Sequence, residues 1–134
     1  MLLELFEVRK IIEVECATLA ASRATEEEID GMRAIFDSLK NVKDREEGIE
    51  YDLKLHDHIA DTAGNLILKK ILTSVKNLLK ASRHITVPKS GVSAETIKNM
   101  ERLIKAISDR NPEEAKRIML RHLDSVYIKN IIGN

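Results

Sequence analysis

Helix-start signals recur along this chain, and what lies between them repeats at three and four residues. Thr25-Glu26-Glu27-Glu28 is a capping box, with a Thr hydroxyl to cap and a Glu three later to reach back. Asn111-Pro112-Glu113-Glu114 joins an Asn cap to a Pro at the first helical position and acids in the first turn. Asn65 and Ser93 are further caps, and Gly64 suits a left-handed helix end. Val87-Pro88-Lys89-Ser90-Gly91 is the clearest break. These marks predict six helices. The first runs from about Leu2 to Ser22, the second to about Lys40, the third to Ala63. The fourth spans about Leu66 to Ile85, the fifth runs from Ser93 to about Asp109, and the sixth starts at Pro112.

Between the marks the apolar residues fall on stripes. They are Leu5, Val8, Ile12, Cys16 and Leu19 on the first helix, Ile29, Met32, Phe36 and Leu39 on the second, and Ile97, Met100, Ile104 and Ile107 on the fifth. The fourth is strongly apolar, with Leu68, Ile71, Leu72, Val75, Leu78 and Leu79. No strand alternation or repeat interrupts them. The 134 residues hold only five Gly and two Pro. The expected fold is therefore all-α, a single antiparallel six-helix bundle.

Lys plus Arg and Asp plus Glu are both 22, so the formal net charge is zero. That excludes a chain whose own surface is a nucleic-acid footprint. Two Phe, two Tyr and no Trp exclude a base-stacking platform. Cys16 is the single cysteine; on its apolar stripe it reads as an inert core thiol. No disulfide can form within the chain, no signal peptide is visible and no apolar run approaches membrane-spanning length. A soluble, cytoplasmic protein is expected. The chain enters its first helix almost at once, without a cap, which reads as a piece of something longer.

Chemistry concentrates on the third helix. Ile49, Asp52, His56, Ile59 and Ala63 step by three and four, so an acid and an imidazole share the apolar seam. Buried polar groups are costly unless something satisfies them. On the sixth helix, Ala115, Ile118 and His122 form a similar seam. Asp52, His56 and His122 would make a two-imidazole, one-carboxylate set suited to a divalent metal such as zinc or nickel. An Asp-x-x-x-His pair is a weak pattern that arises often by chance on helices, and from the residues alone core side chains satisfied by neighbours are the favoured reading. His58 lies about 200° round the helix from His56 and should face water; His84, near a frayed end, reads as a surface residue. Arg9 and Glu13, one turn apart, read from spacing as a solvated ion pair. A di-iron bundle needs Glu-x-x-His, and no histidine here has a Glu three before it. No P-loop, dinucleotide glycine motif or nucleophile elbow is present.

The order of these pieces resembles the FCD domain, the C-terminal ligand-sensing domain of FadR-type GntR-family transcription regulators. Leu5-Phe6-Glu7-Val8-Arg9-Lys10-Ile11-Ile12-Glu13 is similar to the family's opening. Asp52-Leu53-Lys54-Leu55-His56 is similar to its Asp-x-x-x-His metal pair, followed by Ala63-Gly64-Asn65. Ala106-Ile107 and the run from Ala115 to His122-Leu123 resemble its last two helices. The resemblance covers nearly the whole chain, residues 1–134, as one effector-binding and dimerisation domain. It implies a helical bundle holding a divalent metal through Asp52, His56 and His122. It also implies a small organic or sugar acid effector in the same cavity, near Arg9, Asn65 and Met100. Met100 stands where the family has a further metal histidine, and a thioether is a poor ligand for such an ion. The six-helix count suggests the shorter, VanR-like branch.

The winged helix-turn-helix DNA reader of that family has no counterpart in this chain, so operator DNA is expected only through a domain missing here. A homodimer, no membrane and no enzymatic activity are expected. Two other readings stay open: a metal-dependent enzyme on a bundle, which needs a general base beside the metal, and a purely structural dimerisation domain.

Overall fold

The computed structural model describes residues 1–132, with side chains through Asn130. Seven α-helices follow one another: α1 (Leu2–Arg23), α2 (Glu26–Lys40), α3 (Arg45–Thr62), α4 (Leu66–Ser74), α5 (Lys76–Thr86), α6 (Ala94–Ser108) and α7 (Pro112–Tyr127). A π-helical turn, Ile128–Ile132, extends the last. No strand occurs among the described residues. The capping signals act where the sequence places them. Thr25 and Glu28 close their box, Asn65 accepts from Ile67 and Leu68, Ser93 from Thr96, and Asn111 from Glu114. Asp44, in what reads as a polar link, also caps, accepting from the Glu47 amide. Gly64 takes φ 67 just past α3, the left-handed region that glycine enters freely.

One helix becomes two. The predicted fourth helix breaks at Val75, with φ −107 and ψ 14. The Thr73 and Ser74 hydroxyls donate to the carbonyls of Lys69 and Ile71 at 2.9 and 2.6 Å. Such back-bonding competes with the helical ladder. The six-helix count that favours the VanR-like branch therefore rises to seven.

α1 is the centre of the bundle. It packs most extensively on α7, then on α3 and α6, while α2 closes over α3 and α6. Ala17, Ala20 and Ala21 are fully buried on α1, and such small side chains let neighbouring axes approach. The main core joins this end of α1 to Ile29, Met32, Leu39, Leu55, Ile59, Met100, Leu103, Ile107 and Met119. A smaller cluster of Leu5, Ile12, Cys16, Ala60, Ala63, Leu72 and Leu79 ties α4 and α5 to α1 and α3. Burial pushes the Cys16 thiol up to about 12, so it stays protonated and inert.

His58 does not face water, as the helical wheel suggests. It reaches α2 and hydrogen-bonds the Glu28 carbonyl oxygen at 2.8 Å. Gly31 makes this approach possible: a Cβ there would stand 2.9 Å from the imidazole. His84 is on the surface, 3.7 Å from Glu46.

The strong apolar character of α4 and α5 is only partly used. Leu72 and Leu79 are buried, whereas Ile67, Ile71, Leu78 and Ile85 are exposed. Among the described residues, no helix is long and apolar enough to cross a membrane.

Candidate functional site

Four helices deliver charged side chains into the interior. α1 brings Arg9 and Glu13, α3 brings Asp52 and His56, α5 brings Arg83, and α7 brings His122. All six are buried, and Arg83 is among the most enclosed side chains, 2% exposed. The solvated reading of Arg9 and Glu13 is therefore corrected: they are 3% and 5% exposed. α3 and α7 pack against the α1 face that carries this pair, so one turn of spacing becomes an interior contact.

The six groups form a network. Glu13 Oε2 accepts from Arg9 Nε at 2.5 Å, and its Oε1 lies 2.5 Å from His56 Nδ1. Asp52 Oδ2 accepts from Arg83 Nε at 2.7 Å, and Arg83 Nη1 donates to the Leu79 carbonyl oxygen at 3.1 Å. The Asn99 amide nitrogen is 3.2 Å from His122 Nδ1. Two buried atoms are left with no hydrogen-bond partner among the described residues, Asp52 Oδ1 and His56 Nε2. They stand 3.8 Å apart, too far for a hydrogen bond between them.

Burial alone would raise the Asp52 carboxyl, but Arg83, with His56 and His122, outweighs it and lowers the group to about 2. Burial likewise opposes ionisation of Glu13, and Arg9, His56 and Arg83 still hold it well below the usual range. Burial, then His56, push His122 down to about 4. At neutral pH both carboxylates are charged and His122 is a neutral imidazole, the forms in which such groups ligate metals.

Among the described residues, no three His, Cys, Asp or Glu side chains already stand as a ready-made metal site. Asp52 Oδ1 and His56 Nε2 are the two donor atoms left without a partner among those residues. A neutral His56 giving its Nδ1 proton to Glu13 would carry a lone pair on Nε2, the usual support of a ligating histidine. Zinc-ligand distances of about 2.0–2.2 Å put two ligand atoms about 3.0–3.5 Å apart. The orphaned pair is a few tenths of an ångström wider. The His122 ring centroid is 6.0 Å from that of His56. Its Nδ1 faces Asn99, whose amide can equally present its oxygen and free Nε2 as a donor.

Two cavities flank the network. The smaller, about 220 Å³, is lined by Arg9, Asp52, Arg83, Asn99 and His122, with the Ser93, Thr96 and Ser125 hydroxyls. The larger, about 670 Å³, lies between α3, α4 and α5 and reaches Glu13, His56 and Arg83 past the apolar walls of Leu53, Leu72 and Leu79. Arg83 lines both. Met100 lines neither; it is fully buried in the main core. Asn65 is occupied capping α4 and lines neither cavity. Arg83 and Asn99 carried no local sequence signal for this site, and Glu13 none beyond its one-turn spacing from Arg9. Asp57, the acid nearest His56 in sequence, is tied to Lys69 at the rim of the larger cavity.

The family model described as FCD domain matches residues 4–125. The HTH-type transcriptional regulator LutR of Bacillus subtilis (strain 168) is 30% identical over 129 residues, covering 92% of this chain and 59% of that protein. The HTH-type transcriptional repressor NanR of Cronobacter sakazakii is 26% identical over 124 residues, covering 90% and 48%. A solved structure of Streptococcus agalactiae GntR shares the fold at a TM-score of 0.76 and 23% identity, over 92% of this chain and 56% of that one. The chain thus spans about half to three-fifths of the length of the relatives it matches.

Proposed function

This chain belongs to the FCD domain family, and from that premise we propose that it is the effector-sensing part of a GntR-family transcription regulator. It binds a small organic or sugar acid rather than transforming one. The observation that carries this reading is the cavity of about 220 Å³ that Arg9, Arg83 and His122 line together. Two buried guanidiniums facing one small space are suited to a carboxylate. Ser93, Thr96, Ser125 and Asn99 offer hydrogen bonds to hydroxyl groups on the same ligand. Asp52, His56 and His122 would hold a divalent ion such as zinc or nickel, and when bound it supplies positive charge and an open position for a carboxylate oxygen. Glu13 fixes the His56 ring, and Asn99 fixes the His122 ring.

An effector that recruits Arg9 and Arg83 pulls on α1 and α5 at once. The signal is a change in helix packing, and operator DNA would be contacted only through a domain outside this chain. A thermal-melt screen of small organic acids with zinc present tests the reading. A matching acid raises the melting temperature through binding to the native state. Replacing His56 or His122 by Ala removes the rise. Equal shifts in wild type and both variants would overturn the site.

The partner proposed for the exposed α4–α5 face is a second copy. Apart from the buried Arg83, Leu66–Thr86 carries Lys69, Lys70, Lys76 and Lys80 and no acid. The outer ridge of α1 is its complement, with Leu3 and Ile11 exposed beside Glu4, Glu7 and Glu15. Apolar faces of opposite charge on one chain can pair twice about a two-fold axis. Ile71→Glu should yield a monomer of unchanged helix content by light scattering. A wild-type monomer at tens of micromolar would sink the homodimer.

A further inference from the structure

The larger cleft, about 670 Å³, has α3 as one wall and α4 with α5 as the other. That volume suits a drug-sized molecule. The charges at its depth are already paired: Glu13 holds Arg9 and His56, and Arg83 holds Asp52. Its rims differ. Glu47 and Glu50 stand on the α3 wall and Lys76 and Lys80 on the α5 wall, all four exposed. Among the described residues, none of these four is in an ion pair. The walls are pinned at the two ends of the cleft instead. Lys69 joins α4 to Asp57 and Asp61, the latter at 2.9 Å, and His84 lies 3.7 Å from Glu46. Between these pins, opposite charges line opposite walls of an apolar cleft without closing on one another. Glu47 lies in the first turn of α3, where the helix itself favours an acid, but Glu50 is a turn further on and has no such reason. Lys54, the one lysine of that wall, is turned onto the Tyr51 ring, 5.1 Å from its centroid.

We propose that this cleft is a second ligand site, separate from the small acid-binding cavity, and that it takes a short apolar peptide with free termini. The ammonium end meets Glu47 and Glu50, the carboxylate end meets Lys76 and Lys80, and the side chains cover Leu53, Leu72 and Leu79. A single amino acid carries both charges on one carbon and cannot reach both rims. Axes of packed helices lie about 8–10 Å apart. An extended chain covers about 3.3–3.6 Å per residue, so about three residues span the gap. Apolar contact supplies most of the binding, because each exposed charge pair adds little. The charges set the direction of the peptide and select free ends over the interior of a longer chain. None of the four rim residues lines the small cavity. Nor do the outward Ile67, Ile71, Leu78 and Ile85 line this cleft, which separates it from the face assigned to a second copy.

Trileucine is the probe, titrated calorimetrically into the whole chain at about pH 7, where both its termini are charged. It should bind with a Kd below about 1 mM, and N-acetyl-trileucine and trileucine amide should each bind about threefold or more weaker. Free leucine should bind on the order of tenfold weaker or less tightly still. Glu47→Gln with Glu50→Gln should abolish the difference between trileucine and its acetylated form and keep that between trileucine and its amide. Lys76→Gln with Lys80→Gln should do the reverse. All four positions are exposed, so circular dichroism should show unchanged helix content. No trileucine binding at about 5 mM overturns the site. Equal affinity for the free, acetylated and amidated peptides overturns the recognition of free ends, and with it the proposal. Differences that survive in both double variants place the peptide elsewhere and overturn the assignment to this cleft. None of these outcomes depends on whether an acid or a metal binds in the interior.

Discussion

Replacing Arg83 by methionine should cost about 3–5 kcal/mol of folding stability, because it strands the Asp52 carboxylate in the interior. The side chains of the pair are 2% and 10% exposed and 2.7 Å apart, so little water can take over from the guanidinium. The double replacement Arg83→Met with Asp52→Leu should recover most of the loss, since it removes both charges and keeps the volume apolar. Urea melts of wild type, single and double variants check this. A single variant within about 1 kcal/mol of wild type would show that solvent reaches Asp52 after all, as it does at an exposed ion pair. α5 has few other anchors: only Leu79, Ser82 and Arg83 are buried along it. The same variant should therefore loosen α5 first, seen as faster amide exchange from Lys76 to Thr86 than in α1.

The second large effect is an acid-induced loss of stability centred on His122. In the folded chain its imidazole titrates near 4, against 6.5 in an open chain, because burial and the neighbouring His56 disfavour its charge. Between those values the unfolded chain holds more protons, so stability rises with pH across that window. The contribution is complete above about pH 6.5, falls as pH drops, and amounts to about 3 kcal/mol by pH 4. Asp52 then acts in a lower window. Its carboxyl lies near 2 when folded against 3.8, so its contribution, about 2 kcal/mol, is lost as pH falls through that range. Denaturant midpoints measured at half-unit steps separate the two. His122→Gln should flatten the upper window and leave the lower one; an unchanged upper slope in that variant would assign the titration elsewhere.

How much of this was legible depends on how local each cause is. The caps at Thr25, Asn65, Ser93 and Asn111 are made within three residues and could be read directly. The seam of Ile49, Asp52, His56, Ile59 and Ala63 was visible for the same reason, since helical pitch alone aligns it, and all five are buried. The break at Val75 was not visible. It depends on two hydroxyls bonding back to the helix in a stretch whose apolar residues read continuously. Nor was the docking of His58 visible, because the room for it is made by Gly31 on another helix.

Arg9 and Glu13 show the limit most clearly. Four residues apart on α1, they have the spacing of an ordinary surface pair, and nothing in that spacing says which side of the helix is covered. Arg83 is harder still, on a basic, half-exposed helix with no local mark of burial. Apart from the break at Val75, the sequence by itself determined the helices, their ends and the polar pair on the third seam, since each follows from backbone hydrogen bonding and pitch within a few residues. Only the tertiary structure decided that Glu13 would orient His56 across 43 positions and Arg83 would meet Asp52 across 31. The cost of burying a charge is set by what other helices bring to it, and no local pattern carries that information.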